Sequence, residues 1–372
     1  MGWVVRSGTA AAAAIAACAC AALLAGCTNA TEPDRPARGK NGDTTPLSAR
    51  ETTGGLPVPR GKGSRVPGDF NGDGHRDLVL NDLVKARGDS HGDDAGIGVV
   101  YGSAGPRVLD PAVRGLLTPR ANAAPVGGTL PAAFDAEAAC DLDKDGFSDL
   151  VIATDPPYNG IGRPPVPLQL LFGSPAGLTG KAVVLRIPEQ ARYGNEWPDH
   201  PVCGDFDGDG STDLAVTASS GRVSFLRGPF ARTGAPRAAP GSVPGGGPAL
   251  SAPSPALDAN DDGYDDLVVS TRPAKPGAAA RGTLLLGGPD GPGRAGRRYA
   301  VDAVPLPQAP PLGAGETNPT TAVLAHTDFD GDKRPDLVTR THRGERADAV
   351  ALYAASAPGH PLITFSTSVF LR

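Results

Sequence analysis

One chemical pattern occurs five times in this chain. In "GDFNGDGHRD" oxygen side chains stand at alternate positions, Asp69, Asn71 and Asp73, then His75 and finally Asp77. The same spacing returns at Asp141, Asp143, Asp145, Phe147 and Asp149, and again at Asp205, Asp207, Asp209, Ser211 and Asp213. Two further copies follow at Asp258, Asn260, Asp262, Tyr264 and Asp266, and at Asp328, Asp330, Asp332, Arg334 and Asp336. Numbered within each loop, positions 1, 3, 5 and 9 carry oxygen side chains. Position 7 changes from His to Phe to Arg, as expected if only its backbone carbonyl is used. Three or four carboxylates held this close repel one another unless a hard cation sits among them. Oxygen ligands at alternate positions suit calcium, whereas magnesium demands a stricter octahedron and zinc prefers His or Cys. The expectation is therefore about five calcium sites, one per loop.

An EF-hand does not fit. That loop needs a bidentate Glu at position 12 and a following helix, and here position 12 is Leu80, Ile152, Val216, Val269 or Thr339. The aspartate at position 9 is expected to close the site instead. No general base or nucleophile accompanies the loops, so the metal reads as a staple for the fold and not as a catalyst. In the fifth loop Lys333 replaces the glycine of position 6, which predicts an unusual backbone there and the weakest site.

Elements must hold these loops in place. Each is followed at once by a short β-branched run, "DLVLN", "DLVIA", "DLAVT", "DLVVS" or "DLVTR", and then by a second run ending in a turn, as in "GVVYGSAG" and "LQLLFGSPAG". Third strands are expected at "KAVVLRI", "RRYAVDAV" and "TFSTSVFLR", and a strand ahead of most loops, as in "TAVLAHTD". The 51 glycines and 39 prolines punctuate these runs, which argues for many turns and an all-β chain. The first aspartates lie 72, 64, 53 and 70 residues apart. That period suits one four-stranded blade per repeat, hence a β-propeller over 66–372 with five blades counted and five to seven allowed.

The pattern D-x-[DN]-x-D-G-x-x-D-L followed by an apolar strand resembles the FG-GAP (VCBS-like) repeat of integrin alpha-subunit propellers and of many bacterial surface proteins. The resemblance covers nearly everything after Val66. It implies a calcium-binding propeller whose metal loops lie on the side away from the usual partner-binding loops. Integrin-type propellers have seven blades, against the five loops counted here.

The N-terminus carries Arg6 and then an apolar run from about Thr9 to Ala25, short for a membrane span and apt for a signal peptide, assigned to 1–26. Leu24-Ala25-Gly26-Cys27 resembles the bacterial lipoprotein signal, which implies cleavage before Cys27, lipid on that cysteine, and attachment to the outer surface of the cytoplasmic membrane by the lipid alone. Residues 27–65 lack apolar periodicity and read as a flexible tether. With Cys18 and Cys20 removed and Cys27 lipidated, the five cysteines reduce to Cys140 and Cys203. Each stands just ahead of a loop, so the two could meet across adjacent repeats as a disulfide, or remain two buried thiols.

A net charge of -5 and the lack of a basic stripe exclude a nucleic-acid partner. The six histidines are scattered singly, and no nucleophile elbow, zincin or P-loop motif is present. Trp197 and Tyr193 could form an aromatic ligand platform or pack between blades. Arg87-Gly88-Asp89 resembles the adhesion tripeptide that integrins recognise, at a length where chance alone readily produces it. The expected function is binding of a protein or carbohydrate at the cell envelope. The rivals are a hydrolase or lyase built on a propeller, and a structural spacer.

Overall fold

The computed structural model describes residues 47–48, 55–84, 96–105, 107–155, 168–219, 221–244, 256, 258–271, 280–301, 320–343, 347–357 and 360–371. The signal segment, Cys27, most of the tether and the Arg87-Gly88-Asp89 tripeptide lie outside these residues. The described part is nearly all β, in five sheets.

In chain order, β1 (Leu47–Ser48) precedes a sheet of β2 (Leu78–Leu80), β3 (Ile97–Gly102) and β4 (Leu109–Leu117). The second sheet comprises β5 (Phe134–Cys140), β6 (Asp149–Thr154), β7 (Leu168–Leu171) and β8 (Val183–Val184). β9 (Val202–Gly204), β10 (Asp213–Ala218), β11 (Arg222–Arg227) and β12 (Ala238–Pro244) form the third. β13 (Leu267–Thr271), β14 (Ala280–Leu286) and β15 (Arg294–Val301) form the fourth, and β16 (Thr320–Thr327), β17 (Asp336–Arg343), β18 (Ala347–Tyr353) and β19 (Ile363–Phe365) the fifth. Within every sheet consecutive strands pair antiparallel. One pairing is not local: β1 lies parallel to β19, with Leu47 opposite Ile363.

Strands β3, β7 and β10 are buried along their whole length. A strand that alternates in and out would show one solvated face, so these strands are covered on both sides by their neighbours. The apolar clusters show which sheets meet. Val99 and Leu150 share one cluster, Leu170 and Leu214 a second, and Val223 and Leu285 a third. In the fourth, Leu78 and Val100 of the first sheet pack with Val338 and Leu352 of the fifth.

Several strand expectations are corrected. "TFSTSVFLR" is a strand only in its first two residues, the end of β19 (Ile363–Phe365), and then a 3₁₀ turn at Thr367–Leu371. Asp348 causes the change: its carboxylate accepts from the Thr367 backbone N–H and from the Ser366 and Thr367 hydroxyls, curling the chain so that Phe370 is buried beside Gly98. "KAVVLRI" pairs only at Val183–Val184. One-turn helices occur at α1 (Pro119–Asn122), capped by the Thr118 hydroxyl, and α2 (Glu189–Arg192). Among the described residues no helix is long and apolar enough to cross a membrane. The tether does not stay clear of the fold up to residue 65. Besides the β1 pairing, Gly61 donates to the Asn71 carbonyl, Lys62 to that of Gly72, and Ser64 to that of Gly146. These contacts are made by irregular backbone, which leaves no periodic trace in the sequence.

Candidate metal centres

Loop 1 spans residues 69–77, and loops 2, 3, 4 and 5 span 141–149, 205–213, 258–266 and 328–336. Each leads directly into a strand, β2, β6, β10, β13 or β17, and a shared set of hydrogen bonds folds all five. The position 1 carboxylate accepts the N–H of position 6: Gly74, Gly146, Gly210, Gly263 or Lys333, at 2.7–2.9 Å. The position 5 carboxylate accepts the N–H of position 7 in every loop. These short side-chain-to-backbone bonds replace a regular ladder and curl the chain around its own carboxylates.

Two backbone positions must be left-handed for this path. Position 6 has φ between 65° and 91° in all five loops, including the expected exception, Lys333, at 65°. Position 4 is equally constrained, a requirement the sequence reading missed: Gly72, Gly208 and Gly331 satisfy it freely, while Lys144 and Asp261 occupy it at φ 62° and 58°.

Position 9 has a second task besides the one expected of it. Asp77, Asp149, Asp213, Asp266 and Asp336 are each at most 5% exposed. In each, Oδ2 accepts the N–H of position 2, from Phe70, Leu142, Phe206, Ala259 or Phe329. Oδ1 accepts a backbone N–H at or just past the end of the hairpin partner strand, β3, β7, β11, β14 or β18, from Gly102, Gly173, Gly228, Gly287 or Ala355. This aspartate therefore ties its loop to its own sheet. In loops 1 to 4 each oxygen retains a lone pair that a cation can use, whereas Asp336 Oδ2 also accepts the Asp330 N–H and leaves only Oδ1 with one.

The structure draws three carboxylates together, within 4.8 Å, in three loops: Asp141, Asp143 and Asp149; Asp205, Asp207 and Asp213; and Asp328, Asp330 and Asp332. In loops 1 and 4 the side chain at position 3 is an amide, and Asn71 and Asn260 donate Nδ2–H to Asp73 and Asp262. Burial pushes Asp149 up to about 8 and Asp213 to about 7, with neighbouring carboxylates adding to the effect against backbone donors. Burial likewise raises Asp77, Asp141 and Asp330, and takes Asp143 to about 6. Asp258 moves the other way, because backbone N–H groups led by that of Gly263 favour its anion. Two buried oxygens, Asp143 Oδ1 and Asp205 Oδ1, have no hydrogen-bond partner. Carboxylates forced together, reluctant to ionise, and holding orphaned oxygens fit a hard divalent cation.

Neighbouring loops also touch. Ser148 N–H donates to the Asp69 carbonyl, and Asp265 N–H to that of Asp205. The ring of Phe147 lies over Gly72, where a Cβ would fall 2.4 Å from Cε1. Tyr264 covers Gly208 in the same way, so position 7 uses its side chain for packing in these loops. Cys140 and Cys203 are joined by a disulfide, Cα to Cα 6.4 Å, across the second and third sheets. Trp197 is half-buried, and Tyr193 is exposed with the Arg222 guanidinium 4.5 Å above its ring.

Residues 202–226, which contain β9, loop 3, β10 and most of β11, match the FG-GAP repeat family. The chain carries an FG-GAP repeat. No curated protein matches the chain. The matched FG-GAP segment holds the loop in which Asp205, Asp207 and Asp213 converge, and loops 1, 2, 4 and 5 share its hydrogen-bond scheme at positions 1, 5 and 9.

Proposed function

We propose that the five sheets close into a calcium-stapled β-propeller that works as a binding module for a protein or carbohydrate outside the cytoplasmic membrane, anchored by lipid on Cys27. The observation that carries this reading is the order of packing. First meets second, second third, third fourth, and the fifth returns onto the first, while β1 completes the last sheet. A chain of sheets whose end returns to its beginning leaves few exposed edges, which is the advantage of radial closure. The disulfide supports an oxidising compartment.

In this reading calcium is held by positions 1, 3, 5 and 9 with the position 7 carbonyl, and it supplies positive charge that allows clustered carboxylates to remain ionised. The protein's own residues do the rest: position 9 ties loop to sheet, and Phe147 and Tyr264 at position 7 pack loop 2 on loop 1 and loop 4 on loop 3. The rigid body so formed would present its variable loops on the face away from the metal.

The test is a thermal melt of the full chain in chelator, in calcium and in magnesium. Asp149 and Asp213 bind protons more tightly when folded than the ordinary carboxylate near 4. Without cation, stability is thus present at low pH and lost as pH rises from about 4 toward 8. The melting point in chelator should fall over that range. Calcium should raise it most at pH 8, saturably, and magnesium should not substitute. A melt at pH 8 indifferent to both ions would remove the metal from this account. Presenting the calcium-loaded protein to arrays of envelope glycans and extracellular proteins reads the second half, and no retention above a chelator control would defeat the binding role.

A further inference from the structure

Positions 3 and 5 put two oxygen side chains side by side in every loop, and in loops 1 to 4 the structure relieves their crowding in two ways. In loops 1 and 4 position 3 is Asn, and its amide donates to the position 5 carboxylate at 3.1 and 3.0 Å. In loops 2 and 3 position 3 is Asp, and an arginine takes the amide's place. Arg232 Nε lies 2.6 Å from Asp143 Oδ2, and its Nη2 bonds Asp145. Arg237 Nη2 bonds Asp209 and lies 3.8 Å from Asp207, and Arg227 Nε approaches Asp207 at 3.1 Å. All three arginines come from the third sheet, at the end of β11 and in its connection to β12. Asp143 and Asp207 are 8% and 4% exposed at the side chain, so these pairs are not the fully solvated kind that contributes nothing. Arg232 also lies over the Phe172 ring, 4.8 Å from its centre, which fixes it from the other side.

We infer that Arg232 and Arg237 are built-in counter-ions of loops 2 and 3, holding the same carboxylates a cation needs and keeping these two loops closed when calcium is scarce. This rests on the calcium reading above. An Asp at position 3 brings one negative charge more than an Asn, and the guanidinium matches it with a planar fork of donors across two carboxylates. The consequence is a division of labour. Loops 2 and 3 bind calcium more weakly than their four carboxylates suggest, because the ion must displace or share with arginine. In return, the join between the second and third sheets does not depend on metal.

The test compares the full chain with Arg232→Gln, Arg237→Gln and the double variant, by melting in chelator and in saturating calcium and by calcium titration calorimetry. The double variant should melt several degrees lower in chelator and recover most of that loss in calcium. Two of its sites should bind calcium about fivefold tighter, the scale of a released surface-to-half-buried ion pair. Adding Asp143→Asn to Arg232→Gln should restore the chelator melt, since it recreates the amide bridge of loops 1 and 4. Unchanged affinities, or a loss in chelator that calcium does not repair, would overturn the inference. A wild-type chain that gives no calcium heat at all would overturn the calcium reading itself, and the wild-type titration separates that failure from the other.

Discussion

Two joins in the molecule are built to different standards. Between the second and third sheets, Leu142 at position 2 is fully buried, its carbonyl accepts from Phe230 N–H, and the Cys140–Cys203 disulfide and Arg232 cross the same boundary. At position 2 the first, third and fifth loops likewise bury Phe70, Phe206 and Phe329. The fourth loop has Ala259 there, exposed, and among the described residues no apolar cluster spans the fourth and fifth sheets. The contrast teaches that position 2 is the wedge by which one sheet grips the next, held in place by the position 9 aspartate through its N–H. Where it is alanine, the described residues show no such apolar contact with the fifth sheet, and that join is expected to open first.

The largest test removes a wedge. Phe206 is fully buried, edge-on to Phe225 with ring centres 6.2 Å apart. Phe206→Ala should cost about 3–5 kcal/mol in denaturant unfolding, as large-to-small core changes do, whereas Ala259→Gly should cost under about 1 kcal/mol. Comparable losses at the two positions would show that position 2 is not what distinguishes the joins.

Next in size is the covalent tie. Cys140 and Cys203 are 63 residues apart, and crosslinking a loop of that length restricts the unfolded chain by about 2–4 kcal/mol. The pair Cys140→Ala with Cys203→Ala should lower stability by that amount and speed hydrogen exchange of the β9 amides, while this join, which keeps Leu142 and Arg232, still opens less readily than the fourth-to-fifth. Exchange in β9 that stays as slow as in the parent would mean that packing alone holds this join.

Much of this was legible from spacing. The loops, the strand after each and the all-β class follow from oxygen side chains at alternate positions and the D-L-apolar run, because these are local patterns. What escaped depends on distant partners. The second role of Asp149 needs Gly173 N–H, 24 residues on, across β6 and β7. Arg232 sits 87 residues from the carboxylate it holds, and nothing in its own neighbourhood marks it. The backbone demand at position 4 was half visible, in Gly72, Gly208 and Gly331, and was masked by Lys144 and Asp261, which meet it without being glycine. Residues 55–65 read as tether because they pack through backbone bonds, with no apolar period to report it.

The smallest effect tests whether the fifth loop is limited by its backbone or by its charges. Lys333 takes position 6 at φ 65°, where the other four loops have glycine, and its N–H still bonds Asp328 at 2.9 Å. The loop has thus kept the path and accepted the strain of a side chain in the left-handed region. Lys333→Gly relieves that strain while giving the unfolded chain more freedom, so the net gain should be about 0.5–1 kcal/mol. It also removes a positive charge beside Asp328, Asp330 and Asp332, which converge within 4.8 Å. The two effects part in the presence of metal. If backbone strain limits the loop, the gain in melting point is the same in chelator and in calcium. If the lysine charge supports the carboxylates, the variant loses in chelator and gains only when calcium replaces that charge.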